Sequence, residues 1–181
     1  MQNNKKLVFR SDGASLPEIG TGHIIRDIAI ADFFVTKNIC KQSEVSFISK
    51  SDGPFCIGSD LVKESGYTLE TIDDKCLDWN TPEEARVLIE LDPNLLVIDR
   101  LSTESKWMAE LKSRIKYVVS MDDVGKGAYL ADAVINAILH DMPIGESRYI
   151  GYDYLFLKVK QIPLLQYLLP VGCGPSSNTC P

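Results

Sequence analysis

At 181 residues, with 45% hydrophobic and 24% charged side chains, the chain has the make-up of a folding globular protein of one ordinary domain. Nineteen Lys and Arg against 25 Asp and Glu leave a net charge of −6, and no basic block interleaves with aromatics, which argues against nucleic acid and anionic membrane as partners. No apolar stretch reaches the roughly 20 residues of a membrane helix, and the best candidate is broken by Pro163 and Pro170.

Only Leu7-Val8-Phe9 separates the polar start of the chain from Arg10, too brief for the apolar region of a signal peptide, so a cytoplasmic protein is expected. From there, short β-rich runs alternate with helical patterns, the mark of strand-helix-strand units. The expected fold class is α/β, a Rossmann-like parallel sheet with helices on both faces. Residues 5–10 are the first strand. A turn-rich segment, 11–21, precedes a helix over 24–34 whose apolar positions recur at three- and four-residue steps, which predicts that it is largely buried. Residues 44–49 read as the second strand, 58–65 as a helix stopped by Gly66, and 67–72 as the third strand. Thr81-Pro82-Glu83-Glu84 then sets a cap, a first-turn proline and a cap-box glutamate in register for a helix with Ala85, Leu88 and Ile89 on its core face. The continuous apolar run 95–98 predicts a strand covered on both faces, with Asp99 at its C-terminal end. A helix opening at Ser102 and carrying Trp107, Met108 and Leu111 comes next. Strands over 117–121 and 133–138 complete the pattern.

Beyond Lys160 the character changes. Residues 161–181 hold no charged side chain but four prolines, two glycines and two cysteines, which predicts a domain over 1–160 and a poorly ordered tail. The five cysteines (Cys40, Cys56, Cys76, Cys173, Cys180) are odd in number, scattered and without Cys-x-x-Cys spacing, so neither a disulfide framework nor a metal site is indicated. They read as buried or incidental thiols.

Ligands of open α/β sheets collect at the carboxyl ends of strands, which directs attention to the residues after each strand. The first strand is followed by Asp12-Gly13 and then Gly20-Thr21-Gly22-His23, which turns into the buried helix. Gly20 and Gly22 free the backbone for a ligand, and the helix start offers unpaired N–H groups to an anion or a polar sugar. His23 is the best general-base candidate, because the helix dipole disfavours a second positive charge there. The same residues have plainer readings. A histidine at a helix start often only caps or packs, Asp12-Gly13 is an ordinary turn pair, and Arg26 pairs with a neighbouring acid as readily as it reaches a phosphate. Asp122 and Asp123 read as caps of the following segment rather than as chemistry. His140 has no partner at motif spacing and receives no role. The dinucleotide fingerprint is not met, since a third glycine is missing and no acidic residue clearly ends the second strand.

Taken as an ordered set, Asp12-Gly13, then 19–26 (Ile-Gly-Thr-Gly-His-Ile-Ile-Arg), Val97-Ile98-Asp99, Met121-Asp122-Asp123, 132–136 and 151–158 resemble the PseG/SpsG family. These are nucleotide-sugar hydrolases of pseudaminic acid biosynthesis and spore coat polysaccharide proteins, with a glycosyltransferase-B-like fold. The resemblance spans about 5–158 and implies an inverting hydrolase that splits a UDP-linked 2,4-diacetamido-2,4,6-trideoxy sugar into UDP and free sugar. It implies that His23 activates the attacking water. Asp12 would orient His23 or the sugar, Gly13 and the amides of Gly20, Thr21 and Gly22 would line the substrate, Arg26 would meet a phosphate, and Asp99 would bind a sugar hydroxyl or acetamido group. No cofactor and no metal is implied. Ala14, Asp27 and Arg100-Leu101 depart from the family pattern, which bears on which sugar is taken. The family's second domain, which supplies most UDP contacts, has no counterpart after Lys158, so a half-site completed by a second domain or chain is expected. The alternatives are a sugar-binding or assembly module without catalysis, and a glycosyltransferase in which an acceptor hydroxyl replaces water.

Overall fold

The computed structural model describes residues 6–17, 19–72, 79–137 and 148–151. Seven strands form one wholly parallel sheet: β1 (Leu7–Ser11), β2 (Val45–Lys50), β3 (Thr68–Ile72), β4 (Leu95–Asp99), β5 (Val118–Met121), β6 (Ala133–Asn136) and β7 (Arg148–Ile150), in the order β3-β2-β1-β4-β5-β6-β7. Among the described residues four α-helices, α1 (Gly22–Thr36), α2 (Cys56–Glu64), α3 (Pro82–Glu90) and α4 (Ser105–Lys112), alternate with the first five strands.

The period-two alternation of the strands divides the core into two layers. Leu7 and Phe9 of β1, Val45 and Phe47 of β2, Val97 of β4 and Met121 of β5 pack with Ile24, Ile28 and Ala31 of α1 and Val62 of α2. Val8, Ile48, Leu96, Ile98 and Val118 point the other way, onto Ala85 and Leu88 of α3 and Trp107, Met108 and Leu111 of α4. The fold is therefore a Rossmann-like α/β sheet covered on both faces, as the unbroken apolar run of β4 predicts. β3 stands at the sheet edge, and its more exposed side chains reflect that position.

Several expectations need correction in detail. α1 buries not only apolar residues but also Arg26 and Asp27, while Phe33 is exposed. α4 begins at Ser105 rather than Ser102, because Asp123 takes the Thr103 amide at 3.0 Å and also bonds its hydroxyl, holding that segment outside the helix. β7 lies parallel to β6, and no strand was expected there. The end of the strand expected over 133–138, His140, 152–158 and the tail 161–181 lie outside the described residues.

One close approach sets the loop after β1. A Cβ on Gly58 of α2 would stand 2.8 Å from the Cα of Gly13, and one on Gly13 would stand 2.8 Å from Cγ1 of Ile24. Gly13 thus serves backbone packing. A Gly58→Ala variant is expected to lose about 1–3 kcal/mol of stability, the usual cost of overpacking, in a urea titration; no loss would mean that the loop yields freely.

Candidate functional site

The strand order reverses between β1 and β4, and the crevice at the carboxyl ends of these two strands is where doubly wound sheets bind ligands. Asp12 follows β1, His23 lies in the first turn of α1, and Asp99 ends β4 beside Ser11. All three line one cavity of about 590 Å³, together with Ile19, Trp79, Asn80, Arg100, Leu101, Ser102 and Glu104.

His23 and Asp99 are 76 residues apart in sequence and directly joined, with Nδ1 2.6 Å from Asp99 Oδ1. The carboxylate can only accept, so Nδ1 carries the hydrogen and Nε2 keeps its lone pair. The 3.3 Å approach of Arg26 Nη2 to the same Nδ1 would need the opposite tautomer; the shorter, charge-assisted contact to Asp99 decides it. Arg26 grips the other side of Asp99, with Nε 2.8 Å from Oδ2 and Nη2 2.5 Å from Oδ1, and its Nη1 pairs with Asp122. Asp122 also accepts from the Ala137 amide at 3.2 Å. It follows β5 in a left-handed backbone conformation (φ 50°) that aspartate tolerates better than most residues. Burial alone would push the Asp99 carboxyl up, but hydrogen bonds from His23 and Arg26, with the charge of Arg26, hold it below its ordinary value. Asp27, fully buried next along α1, is pushed the other way, first by burial and then by the charge of Asp99. Neither of its oxygens has a hydrogen-bond partner of good geometry.

A second ionic network lies behind Asp12. Arg10, fully buried, gives Nη1 and Nη2 to Asp12 at 2.7 and 2.9 Å and Nε to Glu84 at 2.5 Å. Arg100 sets both terminal nitrogens on Glu84, at 3.2 and 2.6 Å. Asp12 also accepts the Lys50 amide at 2.8 Å and the Trp79 indole N–H at 2.9 Å. Glu84 begins as the sequence predicts, its amide capped by Thr81 Oγ1 at 3.2 Å. Its carboxylate, however, reaches the Asn80 amide at 2.9 Å and the two arginines instead of closing a full capping box.

Burial pushes the Glu84 carboxyl up, but Arg10 and then Arg100 pull it down from 4.5 to about 2, and Asp12, likewise opposed by burial and held by Arg10, lies well below the carboxylate range. In both, the folded state binds the proton more weakly than the unfolded chain, so their stabilisation is complete above the unfolded values and is lost as pH falls. The melting temperature is expected to fall steeply from about pH 4.5 down to pH 2. A melting temperature flat through that window would contradict the network.

The expected site residues divide accordingly. His23 and Asp99 meet in the cavity, and Asp99, rather than Asp12, holds the imidazole. Asp12 lines the cavity, but its oxygens serve Arg10, Lys50 and Trp79. Arg26 sets all three of its nitrogens on two carboxylates, Asp99 and Asp122, the acid pairing expected as readily as a phosphate. Gly20, in a left-handed conformation (φ 58°), closes the turn before α1, with its amide on Leu16 O at 3.1 Å and its carbonyl taking the Ala14 amide at 2.8 Å. Its amide is therefore not offered to a ligand. Thr21 is the N-cap without a side-chain cap bond, and nothing crowds Gly22, so the first turn of α1 remains approachable. Asp123 is structural as expected, whereas Asp122 belongs to the Arg26 pair. Sequence reasoning missed Arg10, Trp79, Asn80 and Glu104, whose meeting depends on strand order. Arg10 carried the one local signal, a charge directly after an apolar run and still within the strand.

Among the described residues no group of three His, Cys, Asp or Glu could hold a metal, and no helix is long and apolar enough to cross a membrane.

No protein-family model and no curated protein matches the chain. Among solved structures, MurG of Acinetobacter baumannii, a protein of glycosyltransferase-B fold, superposes with a TM-score of 0.53 at 14% identity, over 80% of this chain and 44% of that one. The chain thus spans less than half the length of that neighbour. At this identity the likeness establishes architecture, and the chain carries the Rossmann-like α/β fold found within a glycosyltransferase-B protein.

Proposed function

We propose that the chain is the sugar-side half of a nucleotide-sugar hydrolase of PseG type, with His23 as general base. The observation that carries this reading is the His23–Asp99 pair, whose Nδ1–Oδ1 contact of 2.6 Å leaves Nε2 to the cavity at the β1/β4 switch point. Nε2 takes a proton from water as its oxygen forms a bond to the anomeric carbon, and the bond from that carbon to the diphosphate oxygen breaks with its electron pair leaving on UDP. Attack opposite the leaving group inverts the anomeric centre. UDP departs readily, so the site's task is to orient the water and tolerate positive character on the sugar. Asp99 supplies both, fixing the ring and lending negative charge beneath it, while Arg26 and Asp122 keep Asp99 in place.

Arg100 is the one Arg or Lys among the described residues lining the cavity, and its terminal nitrogens are bonded to Glu84. This supports a partner domain or chain that binds the diphosphate. Glycosyl transfer to an acceptor hydroxyl is the second reading, favoured by the fold shared with MurG.

Incubation of the UDP-linked diacetamido trideoxy sugar in ¹⁸O-water separates them. The hydrolase reading expects UDP release with the label on the sugar's anomeric oxygen. Label on phosphate, or UDP release only when an acceptor sugar is added, would overturn it.

A further inference from the structure

Trp79 takes part in no step above, yet it is 40% exposed and borders the cavity that holds His23. Two contacts fix it there: its indole N–H donates to Asp12 Oδ2 at 2.9 Å, and Lys50 Nζ stands 4.4 Å from the centre of its ring. A cation near the ring and a bonded edge hold the aromatic plane in one orientation before any ligand arrives. Leu101, 53% exposed, and Ile19 add apolar surface to the same cavity.

The charges around this plane discriminate between the parts of a nucleotide sugar. Arg100 is committed to Glu84, and the exposed Glu104 brings a carboxylate with no ion pair among the described residues. A diphosphate placed here would meet the Glu104 carboxylate, while the two cations beside it, Arg100 on Glu84 and Lys50 over the indole, are already engaged. An uncharged pyranose would meet an aromatic plane, an apolar wall and hydrogen-bond acceptors, the usual make-up of a small-molecule site. A nucleobase also stacks on aromatics, but in a nucleotide sugar it lies beyond a ribose and two phosphates from the anomeric carbon, whereas Trp79 shares its cavity with His23.

We propose that Trp79 is the platform on which the glycosyl ring lies, and that it selects a pyranose over the nucleotide portion at this cavity. The proposal rests on the nucleotide-sugar reading above. The C–H-lined face of the ring meets the negative face of the indole, and Glu104 accepts from a hydroxyl or amide N–H at the rim.

The test uses the full chain and three probes: the methyl glycoside of a 2,4-diacetamido-2,4,6-trideoxyhexose, uridine, and UDP. Tryptophan emission is expected to change with the glycoside and not with uridine or UDP, and the change is expected to vanish in Trp79→Phe and Trp79→Leu, which keep only the buried Trp107. In turnover of the UDP-linked sugar, Trp79→Leu is expected to raise KM about tenfold with kcat little altered, the signature of lost uniform binding, while Trp79→Phe stays near the parent. Equal impairment of both variants would make the bond to Asp12 the important feature and overturn the platform. So would an emission change produced by uridine or UDP alone, or none with the glycoside. A chain that releases no UDP even with the partner half supplied, but still shows the glycoside-specific change, would sink the hydrolase reading and leave the platform standing.

Discussion

Arg10→Met is expected to lose about 3–5 kcal/mol of stability, the range found when one partner of a buried ion pair is removed. Arg10 has no exposed surface and bridges Asp12 and Glu84 from within the sheet. Its removal leaves Asp12 with only uncharged hydrogen-bond donors close by and leaves Glu84 with Arg100 alone. Methionine fills much of the volume but returns no donor. Adding Asp12→Asn and Glu84→Gln to the same chain is expected to recover part of the loss, because it is the stranded charge that costs most. Urea denaturation of the three proteins at pH 7 measures this. A loss below about 1 kcal/mol, typical of exposed pairs, would mean that water reaches the network and that the cavity wall behind Trp79 is not fixed by it.

Asp99→Asn is expected to lower UDP release by about 10²–10⁴-fold, the span associated with a general base and its correct tautomer. An asparagine keeps the shape and one acceptor for Arg26. If its carbonyl stays on Arg26, its amide N–H points at His23 Nδ1, and that nitrogen must become the acceptor. The ring then carries its hydrogen on Nε2, facing the cavity, where the base needs a lone pair. Nitrogen NMR of His23 in the folded variant reads this directly, as an exchange of the protonated nitrogen. A variant with the swapped tautomer and unchanged turnover would remove His23 from the base role.

The first six strands were legible because each carries its own local signal, whereas the short β7 was not. The run 95–98 is apolar on both faces, and Thr81-Pro82 marks the start of α3 with its cap and first-turn proline. The candidate base was legible too, since His23 sits beside glycines at the start of the helix after β1. What local pattern could not carry is the pairing across the sheet. Asp99 meets His23 because β4 lies against β1, with Ser11 opposite Asp99 in register. Glu84 was readable as a helix-start residue from its spacing to Thr81, yet its buried partners Arg10 and Arg100 lie 74 and 16 residues away. Trp79 follows no periodic element and is recruited by Asp12, 67 residues earlier. The opening of α4 was misplaced because Asp123 captures Thr103, a tertiary contact that overrides the helix signal at Ser102.

The most direct test of the account is the rate of UDP release from the UDP-linked diacetamido trideoxy sugar, followed by phosphorus NMR for the parent chain and for His23→Ala, with the partner half supplied if the chain alone is slow. The account predicts release by the parent and a drop of about 10²–10⁴-fold in a folded His23→Ala variant. Equal release by both would contradict it.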